Sequence, residues 1–147
     1  MKDVHIVVGI LAIALNLLAF LLGGFAWLRR STSVWFWRAL RSGQAVVALQ
    51  AALGGILLLL GHRASSLHYL YGALPLVVAL IAEQLKLSAA TMVLDARGLE
   101  DAQAVGSLPK QEQREIVVTI LRREIGSMTL AALVVVVLLA RAATVAH

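Results

Sequence analysis

The chain contains no cysteine, which excludes disulfides, thiolate catalysis and Cys-ligated zinc or iron–sulfur clusters while leaving the compartment open. Charge is scarce as well. Only 14% of the 147 residues are Asp, Glu, Lys or Arg, where an ordinary soluble domain has about a quarter. There is no Gly-rich phosphate loop, no HExxH helix, and no Ser, His and Asp in an order that would support nucleophilic catalysis. An arginine-rich voltage-sensor stripe and an inverted repeat between the two halves are also missing. With no catalytic constellation of known spacing, the sequence leans away from an enzyme.

What fills the chain is apolar side chain. Hydrophobic residues make up 61% of it, and the mean hydropathy is +0.89. The excess is concentrated in four runs, 4–28, 44–61, 67–94 and 126–146. Each is close to or above the ~20 helical residues that cross a ~30 Å hydrocarbon core. The first run is read as a retained span rather than a signal peptide. It is too long for an h-region, Asp3 follows Lys2, and no small-residue cleavage pattern precedes Arg29-Arg30. The link between the second and third runs, Arg63 to Ser66, is short enough to imply an antiparallel hairpin. The fold expected is therefore all-α: a four-transmembrane-helix antiparallel bundle forming a single integral membrane domain over 1–147. The polar segment 95–125 is expected to carry a cytoplasmic amphipathic helix from Lys110 onwards.

Orientation follows from the basic residues. Ten of them, Arg29, Arg30, Arg38, Arg41, Lys86, Arg97, Lys110, Arg114, Arg122 and Arg123, fall in or beside the first and third connections. Three, Lys2, Arg63 and Arg141, fall on the other side. The positive-inside rule then puts both termini outside and both longer connections in the cytoplasm, as in a bacterial cytoplasmic membrane. Trp35, Phe36 and Trp37 among the arginines read as an interfacial belt, not as a nucleic-acid surface.

Three sets of residues are candidates for function. The first is a mid-depth intramembrane polar layer of Asn16, Gln50, Glu83, Gln84 and Lys86, able to hold a polar ligand, a proton or a cation, or else to fix register between helices. Lys86 is expected to pair with Glu83 at i+3 spacing or to snorkel. The second set is the histidines His5, His62, His68 and His147, one near the outer end of each run. If the first and third helices are diagonal, His5 and His68 face each other. Neutral imidazoles can bind haem b or a metal ion, with Tyr71 one turn away. Interfacial residues are the plain alternative, and no two histidines on one helix have the thirteen- or fourteen-residue spacing of a two-haem bundle. The third is the stripe Ile116, Val117, Ile120 and Leu121, which can receive a partner helix or pack on the membrane or on its own chain.

The leading expectation is a non-catalytic accessory, interaction or hydrophobic-ligand-binding membrane protein. Its partners would be the lipid bilayer, a second copy or a membrane complex, and no nucleic acid. One alternative is a b-type haem or metal protein transferring electrons through the outer histidines. A further alternative is a Glu83-dependent proton or cation pathway.

Overall fold

The computed structural model describes residues 2–146. Those residues form helices and no strand: α1 (Lys2–Leu28), α2 (Val34–Leu59), α3 (Ser66–Ala96), the short α4 (Ala102–Gly106) and α5 (Lys110–Thr144). All but α4 are long and apolar enough to cross a membrane. Helix is the form a single segment must take in lipid, because every backbone N–H and C=O then finds its partner within the segment.

Local chemistry sets the boundaries. The Ser33 and Ser65 hydroxyls accept hydrogen bonds from the Phe36 and His68 N–H groups, both at 3.2 Å, and so open α2 and α3. Asp101 caps α4 through the Ala104 N–H at 2.8 Å. α1, α2 and α3 end alike, in a Schellman turn that satisfies the last carbonyls. In α2 the Gly61 N–H donates to Leu58 O and the His62 N–H to Leu57 O, both at 3.0 Å. In α3 the Gly98 and Leu99 N–H groups donate to Asp95 O and Leu94 O, also at 3.0 Å. In α1 the Arg30 and Ser31 N–H groups donate to Trp27 O and Ala26 O at 3.3 and 3.0 Å. The turn residue must be left-handed, with φ 83° at Gly61, 67° at Gly98 and 52° at Arg30. Arg30 is the only non-glycine with positive φ among the described residues.

Two boundaries differ from those expected. α2 starts at Val34, ten residues before the apolar run at Gln44, because the Ser33 cap makes the Trp35–Arg41 segment helical. α5 joins the amphipathic segment and the last apolar run into one helix of 35 residues, with no proline after Pro109 to stop it. α3 runs through Pro75 without ending.

α1 buries one face only: Ala12, Asn16, Ala19, Gly23 and Ala26, spaced four, three, four and three apart. Its other sides expose Ile6, Val7, Ile10, Leu17 and Leu21, as a lipid-facing surface does. Small residues on the buried face let α1 approach both α2 and α5 closely. A Cβ added at Gly23 would lie 2.6 Å from the Phe36 ring of α2 and would also strike the Thr129 hydroxyl of α5. Gly43 of α2 likewise makes room for Asn16, and Gly126 of α5 for the Trp27 indole. α3 packs chiefly on α5, with Ala82 entering the cluster formed by Ala26, Phe36, Met128 and Ala132. α2 and α3 follow each other in the chain yet touch little.

Gly23→Val is expected to lower unfolding stability in detergent by ~1–3 kcal/mol, the usual cost of overpacking. Gly24→Ala, where an added Cβ meets nothing within 4 Å, should be neutral or raise it by up to ~1 kcal/mol through helix propensity. Thermal melts of the two variants check this, and equal losses would refute the packing account.

Candidate functional site

Polar side chains inside the apolar helices gather at two levels. At one end, His5 of α1, Gln50 of α2 and His68 of α3 meet beside the last turns of α5. The His5 and His68 ring centres are 6.1 Å apart, with the planes at 61°. His68 Nδ1 is 2.9 Å from the Ala142 carbonyl of α5. A carbonyl only accepts, so Nδ1 carries a proton, and in the neutral ring Nε2 keeps a lone pair. Gln50 Nε2 is 3.2 Å from His5 Nε2. His5 Nδ1 and Gln50 Oε1 are both buried without a partner. If the Gln50 amide nitrogen donates to His5, the free atoms are the His5 Nδ1–H and the Gln50 oxygen. If the amide is turned over, His5 Nε2–H donates to the oxygen, and the free atoms are the Nδ1 lone pair and the amide N–H. Either sense leaves one donor and one acceptor unmatched.

Glycines make this end possible. An added Cβ at Gly9 would lie 2.9 Å from Gln50 Nε2, and one at Gly54 would lie 3.3 Å from His5 Cε1. The level is also tied together by the Ser65 hydroxyl, which donates to the Val145 carbonyl, and by the Tyr69 hydroxyl, which accepts from the Ala64 N–H at 2.8 Å. Tyr71, the tyrosine singled out from the sequence, is half-buried, and it is Tyr69 that makes the hydrogen bond. His62 is exposed in the link after α2 and stands apart from this group. His147 lies outside the described residues.

The second level is nearer the arginine-rich end. Arg41 of α2 forms an ion pair with Glu83 of α3, and its Nη2 donates to Glu83 Oε2 at 3.2 Å. Gln44 accepts from Arg41 Nη1 at 2.7 Å and donates to Glu83 Oε1 at 3.0 Å. Side-chain exposures of 48% for Arg41 and 30% for Glu83 place this group on the sparsely packed α2–α3 face, outside the core. Aromatic rings carry the neighbouring cations: Lys86 Nζ is 4.8 Å from the Trp37 ring centre, and the guanidinium of Arg38 is 5.3 Å from that of Trp35.

The single mid-depth layer expected of Asn16, Gln50, Glu83, Gln84 and Lys86 is not formed. The early start of α2 is the reason. It carries Arg41 into the helix to the level of Glu83 and moves Gln50 to the opposite end, beside His5. Asn16 is buried against Gly43 and donates to its own helix at Ala12 O, 2.8 Å away. Gln84 is exposed. Lys86 reaches Trp37, and Glu83 finds its counter-ion in Arg41. Sequence reasoning missed Arg41 by assigning it to the interface. The signal available was the Arg41–Gln44 pair, one turn apart and following a serine cap. The docking stripe is also divided. Ile116 is turned into the protein at 1% exposure and is closed to a partner, Ile120 and Leu121 are partly buried, and Val117 remains open.

No group of three or more His, Cys, Asp or Glu able to hold a metal ion occurs among the described residues. A scan against protein-family models finds no match, and neither do searches of curated proteins and of solved structures.

Arg41→Gln and Glu83→Gln should each destabilise the protein more than the two changes together do, since a single change strands one charge in apolar surroundings. A double-mutant cycle of detergent melts is expected to give a coupling of ~0.5–3 kcal/mol. Additive losses would dissolve the pair as a structural unit.

Proposed function

We propose that this chain is a non-catalytic integral membrane protein that binds a hydrophobic ligand with a polar head at its histidine end. In this reading it is an antiparallel four-helix bundle of the bacterial cytoplasmic membrane, with both termini outside. The observation that carries it is the unmatched pair His5 Nδ1 and Gln50 Oε1. A buried polar group left unpaired costs about 1–3 kcal/mol. A ligand offering one acceptor and one donor recovers that cost whichever way the Gln50 amide lies. The ligand class is thus an apolar molecule bearing an adjacent carbonyl and hydroxyl or amide, held by His5, Gln50 and the free Nε2 of His68. An accessory role through a partner helix draws support only from Val117, the one member of the docking stripe left substantially exposed.

A second reading rests on the 6.1 Å between ring centres. Two imidazoles sharing one metal at ~2 Å from each nitrogen have their centres roughly 5–6.5 Å apart. A haem iron or single metal ion between His5 and His68 therefore fits the spacing, and a redox-active one, haem iron or copper, would make this an electron-transfer protein.

The visible spectrum, metal content and native mass of the detergent-purified chain separate the two. A colourless, metal-free protein with a bound small molecule that Gln50→Ala releases supports the ligand reading. A Soret band or stoichiometric metal lost in His68→Ala supports the metal reading. A protein that carries neither, and takes up neither when supplied with haem, copper, zinc or membrane extract, overturns both. Topology has its own check, made clean by the absence of native cysteine. In right-side-out cells an impermeant maleimide should label Arg63→Cys and should reach Ser107→Cys only after the membrane is opened. The reverse pattern would invert the orientation.

A further inference from the structure

Beyond the histidine end, the arginine-rich end holds a charge cluster that the two polar levels leave unexplained. Five cations line one cavity of about 880 Å³: Arg30 from the turn after α1, Arg97 from the end of α3, and Lys110, Arg114 and Arg122 from α5. Along α5, Lys110 and Arg114 are about one turn apart and Arg122 follows about two turns further on. Glu115 is the only carboxylate on the wall. None of the five cations is ion-paired among the described residues, where the single ion pair is Arg41–Glu83. Cations that line one recess with a single carboxylate among them favour an anion there. The volume falls within the range of small-ligand sites.

Arg30 adds a backbone argument. It occupies the left-handed turn position that glycine fills after α2 and α3. A side chain is disfavoured there, and the one present is a guanidinium that lines the cavity. A second cavity of about 330 Å³ adjoins the first, sharing Arg30, Val118 and Arg122. Its remaining wall is largely apolar, with Ala26, Trp27, Leu121 and Ile125, and includes the Ser31 and Thr32 residues. An open cationic groove thus lies beside a smaller, largely apolar recess.

We infer that these two cavities form a binding site for a phosphate-bearing anion. Guanidinium groups are suited to it because their forked N–H donors match phosphate oxygens two at a time. The phosphate occupies the groove lined by Arg30, Arg114 and Arg122. When the phosphate belongs to an anionic lipid headgroup, the start of the acyl chain lies along Trp27, Leu121 and Ile125. Basic pockets at the cytoplasmic ends of spans recognise anionic headgroups on the same principle. The site is independent of what the histidine end binds.

Native mass spectrometry of the full detergent-purified chain tests the inference, with phosphatidylglycerol, phosphatidylcholine and inorganic phosphate as probes. Phosphatidylglycerol should be retained at least tenfold better than the zwitterionic lipid. Arg30→Gln and Arg122→Gln should each weaken that retention about fivefold, and the double variant about twenty-fivefold. Arg141→Gln, at the far end of α5, should leave it unchanged. All these arginines are exposed, and unchanged melting temperatures would show that the variants fold. Displacement of the lipid by inorganic phosphate at comparable concentration assigns the site to a free phosphate, whereas phosphatidylglycerol binding that phosphate does not disturb assigns it to a headgroup. Equal retention of both lipids with no uptake of phosphate overturns the inference. Phosphatidylglycerol binding that is indifferent to Arg30→Gln and Arg122→Gln also overturns it.

Discussion

Two apolar helices in hydrocarbon gain nothing by turning leucine away from lipid, so they stay together only where their surfaces fit closely. In this chain that fit is made along one face of α1. Ala12, Asn16, Ala19, Gly23 and Ala26 form a strip shallow enough for α2 and α5 to lie against it. The fit is keyed at successive levels: Trp27 over Gly126, Phe36 and Thr129 against Gly23, Asn16 against Gly43, Gln50 against Gly9, and His5 against Gly54. A shift of α2 by one turn would break every key involving it. His5 and Gln50 are therefore positioned against each other by contacts distributed along the whole length of α1.

Charge is arranged by the same economy. Glu83 lies near the middle of α3 and is ion-paired, and the buried polar residues of the long helices are Asn16 and Thr129. Asn16 is satisfied by its own backbone. The carboxylate nearest the middle, Glu83, has a guanidinium and an amide bound to it. It lies on the loosely packed α2–α3 face, where long side chains bridge what backbone contact does not. The two levels also differ in completeness. The Arg41–Gln44–Glu83 group is closed on itself, which suits a structural tie. The His5–Gln50–His68 group has donors and acceptors left over, which suits a binding role.

The presence of four helices long and apolar enough to cross a membrane was legible because a bilayer imposes a length, and four runs of about that length stand out from the rest. The meeting of His5 and His68 was also within reach, because each begins a helix in an alternating order. The start of α2 was not. Trp35 to Arg41 has the composition of an interface, and composition alone cannot separate an interfacial loop from the first two turns of a helix. That single displacement undid the expected polar layer, because depth was counted from the wrong helix end. The run from Lys110 to Thr144 was read as two segments because its polarity changes near Ile125, although nothing in the backbone chemistry stops the helix there. The cation-lined cavity was the least legible feature. Its members are far apart at positions 30, 97 and 110–122, and only the folded turns bring them together.

The continuity of α5 has a mechanical consequence. At ~1.5 Å per residue its 35 residues make a rod about 52 Å long, some 20 Å more than the hydrocarbon core is thick. Near one end the rod holds the carbonyl of Ala142 that receives His68, and near the other it carries Lys110, Arg114 and Arg122. A tilt of about ten degrees at one end swings a tip ~20 Å beyond the membrane by roughly 3–4 Å, comparable to the reach of a hydrogen bond. One helix thus carries both the carbonyl that holds His68 and three of the cations at the other end, so that its tilt sets where those cations stand.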